Sequence, residues 1–205
     1  MAYRVRVFVD FWNFQLSWNA HYGPHTRCDW RALPRVLMER TREELRTAGV
    51  SEELQLEETR VYASIDPKSE GDARLSRWLN DFLDRQPSVR VFSRPRVAVR
   101  RIVRCRKCRR ELRHCDHCGE VLTASIEKGI DTAIVTDLLA LAWEAAYDIA
   151  ILISSDADMI PGVEHIQARG LKVVNATWPP KGVHLARVCW ASFPIPQVYP
   201  QLVIA

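Results

Sequence analysis

The chain has 205 residues, 29 Lys or Arg against 25 Asp or Glu, and a formal net charge of +4. At 47% hydrophobic and 26% charged it can bury a sizeable core, which excludes a wholly disordered chain and suits one large domain with a small insertion. No apolar run approaches the ~20 residues that span a bilayer, and Asp10 stands where a secretory signal would stay apolar, so the expectation is a cytoplasmic protein without membrane contact. The net charge hides an asymmetry. Arg85 to Arg113 holds twelve Lys or Arg and one acid, Glu111, a local balance of +11 that leaves −7 on the remainder. A basic segment set into an acidic body has a polyanion as its natural partner, nucleic acid first, although a charge run can equally mark a solvated face.

Arg4 to Val9 reads as a strand ending at Asp10, followed by a short helix from Trp12 to His21 with aromatic packing. Asp29 is placed to cap a helix from Trp30 to Thr47, with Gly49 as its stop. Arg60 to Ile65 is a second strand, closed by Asp66-Pro67. Leu75, Trp78, Leu79, Phe82 and Leu83 fall at helical spacing, and Pro87 ends that helix. Val89 to Ser93 is a third strand. From residue 95 to residue 123 the pattern changes to short β-like stretches around paired cysteines, an insertion within a domain of residues 1–205.

Alternation then resumes. A helix is predicted from Asp131 to Tyr147, a strand from Asp148 to Ser154, a helix from Pro161 to Arg169 and a strand from Leu171 to Ala176. The unbroken Ile149-Ala-Ile-Leu-Ile153 indicates burial on both faces of a parallel sheet. Val183 to Ala191 reads as a further helix, and the Pro-rich end as irregular chain or an edge strand. The whole predicts an α/β fold: a doubly wound, Rossmann-like parallel sheet with helices on both faces, whose ligands bind beyond the carboxyl ends of the strands.

Acidic residues fall at those ends. Asp10 directly follows the first strand, Asp156 and Asp158 follow the strand that ends at Ser154, and Asp131 opens the helix before it. If the two strands are neighbours, these carboxylates converge, and unit charges about 4 Å apart repel by roughly 4 kcal/mol at an effective dielectric near 20. Protons or cations must compensate. Mg²⁺ or Mn²⁺ is the usual compensation, because hard cations take oxygen ligands and activate water at phosphorus. For any one of these residues, Asp131 or Asp156 above all, the simpler role is a helix N-cap, and a cap can also orient a ligand.

At these residues the chain resembles the NYN domains of the PIN-like nuclease superfamily. Val9-Asp-Phe-Trp-Asn13 is similar to the family's Asp-x-x-Asn at the end of the first strand. Lys128-Gly-Ile-Asp-Thr-Ala-Ile-Val-Thr-Asp137 is similar to its Lys-Gly-Val-Asp…Asp segment, and Ile151-Leu-Ile-Ser-Ser-Asp-Ala-Asp158 to its Ser-Gly-Asp-x-Asp-Phe motif. Gly170-Leu-Lys-Val-Val174 resembles the strand that follows. The resemblance implies a three-layer α/β/α PIN-like fold and metal-dependent hydrolysis of RNA phosphodiesters. It implies metal-site roles for Asp10, Asp131, Asp156 and Asp158, a supporting role for Asn13, and a match of Asp137 to the second helix Asp. Asp137 lies about 120° around a helix from Asp131, so it either supports the site from behind or pairs elsewhere. Lys128 either meets a phosphate or is a solvated surface lysine. The sequence departs from the pattern at Phe11 and Trp12, at Ser155 and at Met159. Phe11 and Trp12 either pack in the core or offer a stacking surface to a base.

Cys105-x2-Cys108 and Cys115-x2-Cys118, six residues apart, have the spacing of a tetrahedral Zn²⁺ site with four thiolates. An iron–sulfur cluster or redox disulfides are the alternatives, and His114 and His117 are alternative ligands. The role is structural, because so short a segment cannot build its own core. Arg100, Arg101, Arg104, Arg106, Lys107, Arg109, Arg110 and Arg113 surround the first pair. Arg forks bind phosphates and stack on bases, so this zinc ribbon is expected to hold RNA. Cys28 and Cys189 read as small buried hydrophobes. Two other functions stay open: a catalytically inactive nucleic-acid-binding adaptor, and a glycosyltransferase using Asp156-x-Asp158. A homo-oligomer or a protein partner also stays open.

Overall fold

The sequence folds into alternating strands and helices, which a computed structural model describes for residues 2–66 and 68–204. In chain order these are β1 (Tyr3–Asp10), α1 (Phe11–Tyr22), β2 (Arg27–Cys28), α2 (Leu33–Thr47), β3 (Leu54–Ile65), α3 (Glu70–Trp78), a π-helical turn (Leu79–Leu83) and β4 (Val89–Pro95). An arm follows with β5 (Val97–Arg100), β6 (Val103–Arg104), β7 (Glu111–Leu112) and β8 (Thr123–Ile126). The chain then runs through α4 (Ile130–Trp143), β9 (Ile149–Ile153), a 3-10 turn (Ala157–Met159), α5 (Ile160–Ala168), β10 (Lys172–Thr177), α6 (Val183–Val188) and β11 (Ala191–Pro194). A second 3-10 turn (Ile195–Val198), α7 (Tyr199–Leu202) and β12 (Val203–Ile204) close it, and β12 pairs antiparallel with β2.

Six strands form one parallel sheet in the order β11-β10-β9-β1-β3-β4. β1 is central, and the chain builds outward from it twice, first through β3 to β4 and then, after crossing back, through β9 to β11. The point of reversal lies between β1 and β9. Because strand side chains alternate, Val5, Val7 and Val9 face a core shared with α1, α2 and α3, while Phe8 faces a second core shared with α4, α5 and α6. The result is a three-layer α/β/α domain. All five residues of β9 are buried, as its uniformly apolar sequence requires. None of the described helices is long and apolar enough to cross a membrane.

Several boundaries differ from the sequence expectation for local reasons. Asp29 Oδ1 accepts the backbone N–H groups of Arg31 and Ala32, at 3.0 and 3.2 Å, which makes a turn of Trp30 to Ala32 and delays α2 to Leu33. β3 begins at Leu54 rather than Arg60, its charged half held by an ion pair from Arg6 to Glu58 at 2.5 Å. α4 stops at Trp143, beyond which Ala145 takes a φ of +51°. Tyr147 then points back into the core, where its hydroxyl donates to the Leu138 carbonyl at 2.6 Å. α6 stops at Val188, and Ala191–Pro194 is the edge strand β11. The expected stop at Asp66-Pro67 is described only at Asp66, since Pro67 lies outside the described residues.

The arm stands apart from the six-stranded sheet: β5 pairs with β8 and β6 with β7, both antiparallel. On the opposite side of the reversal point, Gly182 caps α6 in the left-handed region, φ +75°, against the loop that follows β9. A Cβ there would stand 2.7 Å from Thr177 Oγ1 and 2.9 Å from Ser155 Cα. Gly182→Ala is therefore expected to lower stability by about 2 kcal/mol, from backbone strain and displacement of the Ser155 backbone. A urea midpoint equal to that of the unaltered protein would show that the loop yields freely.

Candidate active site at the reversal of the sheet

In doubly wound sheets the crevice for ligands opens where the strand order reverses. Here Asp10 ends β1, and the loop Ser154 to Asp158 leaves the adjacent β9. Asp10 caps α1, its Oδ1 accepting the Asn13 N–H at 3.1 Å, and Ser154 Oγ donates to its Oδ2 at 3.4 Å. Asn13 Oδ1 accepts the Ser155 N–H at 3.1 Å, which ties α1 to the loop after β9. Within that loop Ser154 Oγ accepts the Asp156 N–H at 3.1 Å, and Asp156 Oδ1 accepts the Asp158 N–H at 2.9 Å. Fully buried Asn175 of β10 donates to the carbonyls of Leu152 and Ser154, both at 3.0 Å, and fixes the loop from below. Capping and site-building therefore coincide at Asp10 and Asp156. Asp131 is different. Gly129, at φ +80°, is the cap of α4, and Asp131 sits inside the first turn.

These carboxylates act on one another. Asp10 is 5% exposed, and its pKa rises from the ordinary 3.8 to about 7, through burial first and then the charges of Asp131 and Glu127. The Asn13 and Ser154 hydrogen bonds oppose that rise. Asp131 is likewise held above the usual carboxylate range, by burial and by Asp156, Glu127 and Asp158. Asp10, Asp131, Asp156 and Asp158 thus belong to one electrostatic cluster. Among the described residues no group of three or more His, Cys, Asp or Glu side chains is closed up as a metal ion would need. The donor set nevertheless suits a hard dication: oxygens only, mutually repelling, one of them buried.

One residue joins the cluster that the sequence reading did not name, and for Asp137 the structure selects the second of its two alternatives, pairing elsewhere. Glu127, which no strand-end or periodicity argument singles out, joins the cluster, and its carboxylate is fixed by a hydrogen bond from Ser64 Oγ. The only local signal is its position beside Lys128. Asp137 faces elsewhere. Its Oδ2 accepts Tyr62 Oη at 2.6 Å and pairs with Arg60 at 2.7 Å, while Arg60 also bonds Glu58 at 2.5 Å. Phe11 and Trp12 separate into two roles: Phe11 is 2% exposed in the core, whereas Trp12 is half-buried, with its indole N–H on the Ser64 carbonyl at 2.7 Å.

The arm is rooted at the same place. Arg96, just before β5, donates to Ser64 Oγ at 2.9 Å, and Glu127, just after β8, receives that hydroxyl. Its cysteines form two matching knuckles. The Cys105 N–H donates to the Arg110 carbonyl and the Arg109 N–H to the Cys105 carbonyl, both at 2.9 Å. The Cys115 N–H bonds Glu120 at 2.8 Å and the Gly119 N–H bonds the Cys115 carbonyl at 2.9 Å. Arg109 and Gly119 occupy equivalent positions, at φ +60° and +74°. In each knuckle backbone N–H groups lower the first thiol's pKa, those of Cys108 and Lys107 at Cys105 and those of Cys118 and His117 at Cys115. Such stabilised thiolates fit Zn²⁺. Arg100, Arg101, Arg104, Arg106, Lys107, Arg109, Arg110, Arg113 and Lys128 are all exposed. Among these, Arg113 pairs with Glu111 at 3.1 Å. Cys28 is buried with its thiol pKa pushed up, and Cys189 is half-buried and pushed up to about 12, both by desolvation, as fits inert packing residues.

The sheet is doubly wound, with a cluster of carboxylates at its reversal, in an α/β/α domain. The chain belongs to the NYN domain family, whose model matches residues 4–193; NYN domains are typically nucleases, which makes a hydrolase the general class. A solved structure of a protein of unknown function from Vibrio parahaemolyticus is similar over 99% of this chain and 97% of that one, with a TM-score of 0.57. At 16% identity that likeness concerns the fold alone. No curated protein matches the chain.

The buried carboxylate sets a pH dependence. Because the pKa of Asp10 is raised on folding, the folded chain holds its proton more tightly than the unfolded chain. The stability so contributed is present below pH ~4 and lost as the pH rises through about 7. A shift of this size corresponds to a few kcal/mol, on the order of 4. Asp10→Asn, which keeps the acceptor for Asn13, is expected to be the more stable protein at pH 8 without divalent ions, the difference shrinking towards pH 4. Parallel thermal-unfolding profiles for the two proteins across that range would contradict the assignment.

Proposed function

We propose that the protein is a divalent-metal-dependent endoribonuclease acting in the cytoplasm, with the cysteine arm as a zinc-stabilised grip on RNA. The observation that carries the reading is the cluster of Asp10, Asp131, Asp156 and Asp158 at the sheet reversal, with Asp10 buried against like charge. Family membership supports it. Asp10 and Asp156 would be the principal holders of Mg²⁺ or Mn²⁺, with Asp131 and Asp158 completing the set and Glu127 alongside. When bound, the ion supplies charge neutralisation at the phosphoryl group and eases deprotonation of water at neutral pH.

The chain's own groups do the rest. Asn13 and Ser154 hold the loop that presents Asp156 and Asp158. Exposed Asp158 would orient the attacking water, whose proton passes to bulk solvent. The water oxygen bonds to phosphorus in line with the P–O3′ bond that breaks, and the departing 3′-oxyanion takes a proton from solvent water, which leaves a 5′-phosphate on one product and a free 3′-hydroxyl on the other. The four cysteines would hold Zn²⁺, which fits the thiolate-stabilising N–H groups of both knuckles. The basic side chains around Cys105 and Cys108 would neutralise backbone phosphates outside the cleft.

Alanine at Asp10 or at Asp156 is expected to reduce Mn²⁺-dependent cleavage of mixed cellular RNA by a hundredfold or more while RNA binding persists. Undiminished cleavage in both variants would overturn the site, and binding without cleavage by the unaltered protein would favour the adaptor reading. The arm has its own test. Combined Ala substitution of Arg106, Lys107, Arg109 and Arg110 should weaken RNA binding and flatten the slope of log affinity against log salt, by about 0.7 for each single-strand phosphate contact removed. An unchanged slope would assign the basic face to another partner.

A further inference from the structure

A cavity of about 660 Å³ opens beside α1 and α3, walled by the half-buried rings of Trp12, Trp78 and Phe82 over a floor of buried Phe11 and Trp30. That volume lies within the range of small-ligand sites. The rings are held by one another: Phe11 stacks on Trp30 with centroids 5.4 Å apart, Trp78 stacks on Phe82 at 5.7 Å, and Trp30 meets Trp78 edge-on at 5.9 Å. The π-helical turn contributes directly. Its wide ring is closed by the Asp84 N–H on the Leu79 carbonyl at 2.8 Å, and it carries Phe82 alongside Trp78. Single π turns of this kind are frequent at functional sites.

The rim is polar, formed by Gln15, Arg27, Asp29 and Arg31. Exposed Arg27 and Arg31 line it, with Asp29 between them, and the Arg31 guanidinium lies 4.7 Å from the Phe82 centroid. Arg96 lies 4.4 Å from the centroid of Trp12. Flat apolar walls with guanidinium groups at the mouth match one kind of ligand, a planar aromatic ring that carries anionic phosphates. Position adds to this. Trp12 is two residues beyond Asp10, and its indole N–H rests on Ser64, the residue whose hydroxyl holds Glu127 in the acidic cluster.

We propose that this cavity is a nucleobase pocket, which takes one unpaired base of the strand whose backbone crosses the carboxylates. The proposal rests on the ribonuclease reading and adds a substrate feature to it: single-stranded RNA, with one base drawn out and stacked. Stacking on aromatic side chains recognises any base by its π face and strengthens binding about tenfold per base. A base engaged in a duplex cannot enter.

The test uses Asp10→Asn protein, so that binding is read without cleavage, and a fluorescein-labelled single-stranded RNA roughly eight nucleotides long, followed by anisotropy. A series of oligonucleotides replaces each base in turn by an abasic sugar. One position is expected to lose about tenfold in affinity, and the same sequence in duplex form should bind as weakly as that abasic oligonucleotide. Adding Trp78→Ala should remove the position dependence. Since loss of an indole can disturb folding, Gln15→Trp, which fills the cavity from its rim, should do the same at an unchanged melting temperature. Equal affinity across all abasic positions, or binding by both pocket variants as tight as that of the Asp10→Asn parent, would overturn the proposal and leave the slot to an apolar protein segment. Cleavage assays on the protein with Asp10 intact separate the two claims. Position-dependent binding without any cleavage refutes the nuclease reading alone, whereas cleavage without position dependence refutes the pocket alone.

Discussion

Asp10 places a carboxylate, 5% exposed, at the end of the central strand, where Asp131 and Glu127 add negative charge rather than relieve it. An unpaired buried charge normally neutralises itself or finds a counter-ion. Here the hydrogen bonds from Asn13 and Ser154 offset the burial only in part, and the pKa is carried to about 7. The same two partners reach into neighbouring elements. Asn13 grips the loop after β9 and Ser154 belongs to that loop, so the contacts that ease the charge on Asp10 also present Asp156 and Asp158 beside it.

The fold makes this arrangement stable enough to hold. β1 and β9 are adjacent and parallel, β9 is apolar on both faces, and the helices that follow the two strands pack on opposite sides of the sheet. That divergence leaves the strand ends to the loop after β9, which Asn175 braces from β10. Gly182 lets α6 approach the same loop more closely than any side chain would allow. Stability is thus spent on crowding like charges at the strand ends, which is characteristic of functional sites rather than of structural cores.

What the sequence reveals of this arrangement follows its physical range. β9 is legible because burial on both faces leaves an uninterrupted apolar run, β1 because its valines alternate with Arg4 and Arg6 before closing on Val7-Phe8-Val9, and Asp10 and Asp156 because each lies just beyond such a strand. Glu127 is not, since its membership depends on a hydroxyl from Ser64, sixty-three residues away in the chain. Asp137 shares a helix and a motif with Asp131, yet the helical turn between them directs it to Arg60 and Tyr62 on β3. The first half of β3 escapes periodicity because Glu58 within it is satisfied by Arg6 and Arg60 rather than by solvent. The arm announces its knuckles through cysteine spacing alone. That both of its roots meet at Ser64, through Arg96 and Glu127, is a tertiary fact that links the basic arm to the acidic crevice.

Calorimetric titration with Mn²⁺ at pH 7.5 tests the central claim most directly. The account predicts saturable binding of one or two ions to the unaltered chain, lost in a variant carrying Asp10→Asn together with Asp156→Asn. Absence of saturable binding, or equal binding by the double variant, would contradict it.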